Sequence, residues 1–210
     1  MTHLLHIDTS PRGARSHTRR LTREFVELWE KASPADTMTY RDIGRNPPSP
    51  VDEAWIAAAF TEPEERTPQM KEALRSSDAL VDEFIAADTY VIGVPMYNFA
   101  APSSFKAYID QIVRVGRTFT FEPEDEAAPY KPLVHGKKMF VFVATGDSGY
   151  ESGEPYAPLN HLDPYLRTVF GFIGVNDIRF VYVGNDEFGG HRLAQSVARA
   201  RERIAELIAA

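Results

Sequence analysis

The sequence predicts an α/β fold in which a parallel sheet is covered by helices on both faces. Strand-like and helix-like patterns alternate five times along the 210 residues. Residues 90–94 and 139–144 are continuous apolar runs, which are typical of strands buried on both faces. Helical segments between the strands imply crossover connections, and such connections make neighbouring strands parallel.

The strands are predicted from short apolar runs bounded by polar residues. Residues 4–7 form the first run, and residues 37–40 form a weaker second strand. After the two strong runs named above, residues 178–183 form the last strand. Residues 118–121 are predicted to form a small extended arm, and the acidic residues 122–132 a surface loop.

The helices are predicted from apolar residues that recur on one face. Leu21, Phe25 and Trp29 are spaced four residues apart and define the first helix. Thr67 followed by Pro68 is typical of an N-cap with proline at the first helical position, and a helix follows. Further helices are predicted at residues 105–113, 158–170 and 191–208. Because no linker or repeat interrupts this pattern, residues 1–210 are predicted to form one domain.

Composition excludes several classes of function. The net charge of −7 argues against a nucleic-acid partner, because phosphate backbones require a basic face. The chain has no cysteine, so a disulfide framework and a cysteine nucleophile are excluded. The six histidines show no metal-ligand spacing, and we expect no metal. We find neither a signal peptide nor the ~18 apolar residues of a membrane span, so we expect a cytoplasmic protein without membrane contact.

Three loops are expected to form the ligand site, because open parallel sheets bind ligands beyond the carboxyl ends of their strands. These loops are residues 9–18, 95–101 and 145–153. None of them carries the glycine pattern of a dinucleotide-binding loop or a P-loop.

The first loop has the chemistry of a phosphate site. It contains the hydroxyl side chains of Ser10, Ser16 and Thr18, together with His17 and two arginines, and it opens directly into a helix. A helix N-terminus offers free N–H groups and a partial positive charge to an anion. An alternative is a loop in which Ser16 only caps the helix.

The second loop suits a flat heteroaromatic ligand. Met96, Tyr97, Asn98 and Phe99 combine apolar and aromatic groups with one amide, as small-molecule sites commonly do. The alternative is a hydrophobic strand end followed by a turn.

The third loop contains Thr145, Gly146, Asp147, Ser148 and Gly149. Its glycines would let the backbone approach a ligand closely, although a plain turn is the alternative. The tetrapeptide from residue 146 also matches the nucleophile region of trypsin-like proteases. Those enzymes are all-β and usually disulfide-linked, so the α/β pattern disfavours a hydrolase.

Taken together, these loops resemble those of the FMN-dependent NADH-azoreductases, relatives of the flavodoxin-like NAD(P)H:quinone oxidoreductases. The likeness rests on four features of the sequence. The first is Ser10 together with residues 16–18, and the second is residues 95–99. The third is residues 116–119 followed by residues 136–138, and the fourth is residues 164–166 followed by residues 171–174. Order and spacing fit from about residue 3 to residue 205.

This resemblance implies a flavodoxin-like three-layer sandwich with a five-stranded parallel sheet, one bound FMN and a homodimer. NADH would be the co-substrate, and quinones and azo compounds the electron acceptors, in a ping-pong two-electron reduction. Ser10 and residues 16–18 would hold the phosphate, residues 96–99 the isoalloxazine, and residues 145–149 its pyrimidine side. Phe121 and Phe172 match positions at which the family places aromatic groups beside the flavin. No catalytic side chain is expected, because the flavin carries the chemistry.

One departure from the family concerns the third loop, which commonly reads Ser-Arg-Gly-Gly. Here Asp147 introduces an acid instead of a base, and the loop is one residue longer.

Two other functions stay open on the same fold. One is a flavodoxin-type electron carrier that docks a protein partner, and the other is a flavin-free binding protein.

Overall fold

A computed structural model describes residues 1–209, and it confirms the predicted α/β fold with a five-stranded parallel sheet. The strands are β1 (His3–Asp8), β2 (Thr37–Asp42), β3 (Thr89–Pro95), β4 (Phe119–Phe121), β5 (Tyr130–Pro132), β6 (Lys138–Ala144) and β7 (Asp177–Val183). The helices are α1 (His17–Ala32), α2 (Glu53–Ala59), α3 (Pro68–Ala86), α4 (Ser103–Ile112), α5 (Leu162–Ile173) and α6 (Gly190–Ala209).

The main sheet has the strand order β2-β1-β3-β6-β7, and all neighbouring strands are parallel. Helices α3, α4 and α5 pack on one face, and α1 and α6 pack on the other. Tyr90 and Ile92 of β3 lie in the first core, whereas Val91 lies in the second. The strand is therefore apolar at every position because both of its faces are buried.

Helices α1 and α3 begin where their capping residues predict. The Ser16 hydroxyl accepts a hydrogen bond from the Arg19 N–H at the start of α1. Thr67 caps α3 in the same way, with Pro68 at the first position. On α1 the predicted face packs on the sheet, and the Phe25 ring lies 4.8 Å from that of Phe140. Within residues 1–209, no helix combines the length and apolar character that a membrane span requires.

Three segments differ from prediction. The predicted surface loop contains β5, which pairs antiparallel with β4. The helix predicted at 158–170 begins at Leu162, because the Asn160 side chain accepts hydrogen bonds from the N–H groups of Leu162 and Asp163. Helix α2 is not predicted, although its N-cap Asp52 accepts from the Trp55 N–H at 2.8 Å.

Candidate functional site

A cavity of about 430 Å³ lies at the carboxyl edge of the sheet, where four of the strand-following loops meet. It is lined by Ser10, Arg12, Ser16, His17, Pro95, Met96, Tyr97, Asn98, Ala144, Thr145, Gly146, Asp186 and Glu187. The three predicted loops all contribute to it. A larger cavity of about 830 Å³ lies beside β2 and α1, away from the second and third loops.

The first loop brings hydroxyl groups and cations to one end of the 430 Å³ cavity. The Ser10 hydroxyl accepts a hydrogen bond from the Arg12 N–H at 3.2 Å. The side chains of Arg12 and His17 line the cavity beside the N-terminus of α1, where the first N–H groups have no partner within the helix. Thr18 is fully buried behind this wall, and its hydroxyl lies 3.0 Å from that of Ser16. This end of the cavity can therefore bind an anion.

The second loop forms the other wall through a tight turn after β3. Asn98 and Phe99 have φ angles of 48° and 68°, in the left-handed region that non-glycine residues rarely adopt. Two hydrogen bonds between Tyr97 and Ala100 close the turn, and the Phe99 carbonyl accepts from the His161 N–H. Backbone strain of this kind is often concentrated at ligand sites. Phe99 itself does not line the cavity, whereas the three residues before it do.

The third loop reaches the cavity only through Thr145 and Gly146. Asp147 turns back on its own loop, because its carboxylate accepts from the Ser148 N–H at 2.7 Å and its carbonyl accepts from the Thr145 hydroxyl. Ser148 and Gly149 also lie outside the cavity lining. The structure thus offers no support for Ser148 as a nucleophile facing this cavity.

A fourth loop, residues 184–187 after β7, completes the site and was not predicted. Asp186 accepts from Arg12 at 2.7 Å and lies 3.2 Å from His17 Nε2. Burial and the nearby Arg20 lower the pKa of His17, whereas Asp186 acts in the opposite direction. This fourth loop could have been predicted from the sequence, because β7 is also a parallel strand and its carboxyl end lies at the same edge of the sheet.

Glycines let the third and fourth loops touch. A Cβ at residue 146 would lie 2.5 Å from the Glu187 carboxylate, and one at residue 184 would lie 2.9 Å from Ser148 Cα. The Glu187 N–H donates to the Gly146 carbonyl at 3.0 Å. The two loops therefore form one wall of the cavity.

Comparison with known proteins agrees with this architecture. A family model described as a flavodoxin-like fold matches residues 2–208. The FMN-dependent NADH:quinone oxidoreductase of Nostoc punctiforme is 51% identical over 209 residues, which cover 100% of this chain and 99% of that protein. The FMN-dependent NADH:quinone oxidoreductase 2 of Trichormus variabilis is 48% identical over 209 residues, with the same coverage. This chain belongs to the FMN-dependent NADH:quinone oxidoreductase family. The resemblance predicted from its loops is thereby confirmed.

Solved structures carry the same fold. An azoreductase from Bacillus anthracis superposes with a TM-score of 0.86 at 24% identity, over 99% of each chain. An FMN-dependent NADH-azoreductase from the same organism, solved in complex with FMN, gives 0.82 at 22% identity, over 98% of this chain and 99% of that one. Among the functions left open by the sequence, this family membership favours the oxidoreductase over an electron carrier or a flavin-free binding protein.

The family resemblance places Phe121 and Phe172 beside the flavin, but neither residue lines the 430 Å³ cavity. Phe121 and Phe172 instead join an aromatic cluster on the β4–β5 hairpin and α5. The Tyr130 ring lies 5.2 Å from Phe121 and 5.6 Å from Phe172, and Phe119 lies 4.9 Å from Phe172. Phe121 and Tyr130 are about half exposed. The cluster is therefore a separate aromatic surface of the chain.

Proposed function

We propose that this chain is an oxidoreductase that uses FMN to transfer electrons from NADH to quinones and azo compounds. One observation carries the proposal. A single cavity joins an anion-binding end, formed by Arg12, His17 and the N-terminus of α1, to an apolar wall with one amide, formed by Met96 and Asn98. FMN has the matching chemistry, a phosphate group at one end of a flat heteroaromatic ring system.

The phosphate would be held by the first loop. Ser10 and Ser16 offer hydroxyl groups, and Arg12 and His17 offer charged or ring N–H donors. Thr18 would act indirectly, because its buried hydroxyl is bonded to that of Ser16 and fixes its direction.

The ring system would lie against the second and third loops. Met96 and Tyr97 supply apolar contact, Asn98 supplies an amide, and the backbone at Thr145 and Gly146 borders the same space. Bound FMN would supply the hydride and electron-transfer chemistry. The side chains then need only bind, orient and shield the ring, and no covalent nucleophile is required.

The visible spectrum of the purified protein tests this proposal. After addition of FMN and removal of the unbound flavin, we expect flavin absorption that bleaches when NADH is added without oxygen, and that returns on addition of a quinone. Retained flavin that NADH does not reduce would support the electron carrier instead. Failure to retain any flavin would support the flavin-free binding protein.

We further propose a homodimer in which the aromatic cluster defined by Phe119, Phe121, Tyr130 and Phe172 is covered by a second copy. Exposed aromatic groups of this size commonly mark protein interfaces. Phe121 would then lie beside the flavin of the partner subunit. Sedimentation of wild type and Phe121→Ser tests this, and a monomeric wild type would refute it.

A cytoplasmic location is the last part of the proposal, since the enzyme would need a continuous supply of NADH. Fractionation of cells that produce the native protein would test it, with recovery alongside a cytoplasmic marker as the expected result.

A further inference from the structure

A buried arginine on α1 lies directly behind the first loop of the candidate site. Arg19 is 7% exposed, and its Nε and Nη2 donate to the carbonyl oxygen of Ser10 at 3.0 and 2.6 Å. Its outer edge is bound by Asp42, whose two carboxylate oxygens lie 2.5 and 2.8 Å from Nη2 and Nη1. Asp8 and the Tyr40 hydroxyl lie 3.4 and 3.1 Å from Nη1. One guanidinium group therefore fixes a loop carbonyl to the end of β2.

The peptide after Ser10 separates two cavities. Ser10 lines the 430 Å³ cavity, whereas Arg19, Asp8, Tyr40 and Asp42 line the larger one. The Ser10 carbonyl is therefore bound from the side opposite the candidate phosphate site. Pro11 follows and has no N–H, so the Ser10 carbonyl is the only hydrogen-bonding group of this peptide.

The direction of that carbonyl matters for anion binding. A carbonyl oxygen only accepts hydrogen bonds, so it would repel a phosphate that it faced. Because Arg19 holds this carbonyl, the Ser10 hydroxyl and the donors of Arg12 and His17 face the 430 Å³ cavity without it.

An independent feature constrains the same oxygen. Gly44 packs against it, since a Cβ at residue 44 would lie 2.1 Å from the Ser10 carbonyl oxygen and 2.9 Å from Arg19 Nη2. The Gly44 N–H is bonded to the Asp8 carbonyl at 3.0 Å, which keeps the backbone in place. The carbonyl is thus enclosed between Arg19 and a glycine that no larger residue could replace without displacing it.

Arg19 does not act by attracting the anion. Asp8 and Asp42 both contact it, so its positive charge is already neutralised. Burial alone would raise the pKa of Asp42, but Arg19 holds that pKa below its usual value, so the carboxylate is ionised at neutral pH. What Arg19 supplies is the fixed two-pronged geometry of its guanidinium.

We propose that Arg19 is a positioning residue for flavin binding, which orients the phosphate-binding loop by holding the Ser10 carbonyl out of the cavity. This inference rests on the proposed function, because it concerns how the same site recognises FMN. It predicts a defect that depends on the phosphate group and not on the ring.

The test compares FMN with riboflavin, which has the same ring system and no phosphate. Arg19→Lys keeps the charge, but a single ammonium group cannot reproduce the two contacts to the Ser10 carbonyl and the two to Asp42. Gly44→Ala displaces the carbonyl from the other side. Arg23→Lys is the matched control, because Arg23 lies exposed one turn further along α1 and forms no bond to Ser10. Dissociation constants are measured by flavin fluorescence, and folding is checked by circular dichroism.

Both test variants are expected to weaken FMN binding by about tenfold or more, as loss of a charge-assisted hydrogen bond implies, with riboflavin binding and the control unchanged. Equal weakening of FMN and riboflavin, or no weakening of either, would overturn the inference. If Arg19→Lys does not fold, Gly44→Ala decides the outcome, because it leaves residue 19 an arginine and acts directly on the Ser10 carbonyl. A wild type that binds riboflavin as tightly as FMN refutes phosphate recognition, and one that binds neither refutes the proposed function as a whole.

Discussion

Replacement of Asp186 by asparagine removes a negative charge from the end of the cavity that we assign to the FMN phosphate. In the structure, Asp186 is bonded to Arg12 at 2.7 Å and lies 3.2 Å from His17. A phosphate that bound the same two side chains would have to share them with this carboxylate. We therefore expect Asp186→Asn to strengthen FMN binding.

The magnitude follows from the geometry. A phosphate in contact with Arg12 and His17 would lie roughly 5 Å from the Asp186 carboxylate. For a phosphate charge of about −2 and a water-like dielectric constant of about 80, the repulsion is about 1.7 kcal/mol, which corresponds to about 16-fold in Kd. This figure is a lower limit, because the Asp186 side chain is only 29% exposed and a lower dielectric constant would strengthen the repulsion. Added salt should reduce the difference by screening.

Flavin fluorescence at low ionic strength provides the assay, with FMN and riboflavin titrated in parallel. Glu187→Gln is the matched control, because Glu187 lines the same cavity on the same loop and forms no ion pair with Arg12 or His17. Tighter binding of FMN alone, seen in Asp186→Asn and clearly smaller in the control, is the expected result. Weaker FMN binding in Asp186→Asn would refute the reasoning, because it would show that Asp186 orients the two cations instead of competing for them.

Three further predictions concern the fold and its titrating groups. Phe142→Ala should reduce the free energy of unfolding by about 3–5 kcal/mol, measured by urea denaturation, because the ring is fully buried in the core. Asp42 has a pKa below its ordinary value of 3.8, because Arg19 outweighs the effect of burial. The ionised Asp42 carboxylate therefore stabilises the folded state fully above the unfolded-state pKa, and this contribution is lost as pH falls below about 4. In thermal unfolding, the Tm of Asp42→Asn should depend less on acid pH than the Tm of wild type. Asp186→Asn should lower the pKa of His17 further, seen by NMR titration, because Asp186 is the group that raises it; an unchanged or higher pKa would contradict the contact.

The sheet could be predicted because its strands must satisfy a strict requirement. A parallel strand between two helical layers is apolar at every position, and residues 90–94 and 139–144 meet that requirement. Short elements lack such a signature. Helix α2 has seven residues and is too short for a clear periodicity, and β5 has three residues whose pairing depends on β4. Contacts distant in the sequence determine these elements, and local patterns do not reveal them.

The candidate site was predictable in its location and only partly in its membership. The rule that ligands lie at the carboxyl edge selected three loops, and residues of all three line one cavity. The rule does not state which way each side chain points. Thr18 turns inward to support Ser16, and Asp147 binds its own loop. Asp186 lies on the loop after β7, outside the three predicted loops.

Arg19 illustrates why a positioning residue is harder to find than a binding residue. Nothing in the sequence distinguishes it from the neighbouring arginine on α1, because its role arises from Asp42, which lies on another strand, and from Gly44 beyond it. On the proposals above, Asp186 and Arg19 would also act on the same phosphate in different ways. Asp186 would compete for the donors of the phosphate through its charge, and so its effect should fall with salt. Arg19 determines which atoms of the loop face the cavity, and its effect should persist at high salt, because geometry is not screened.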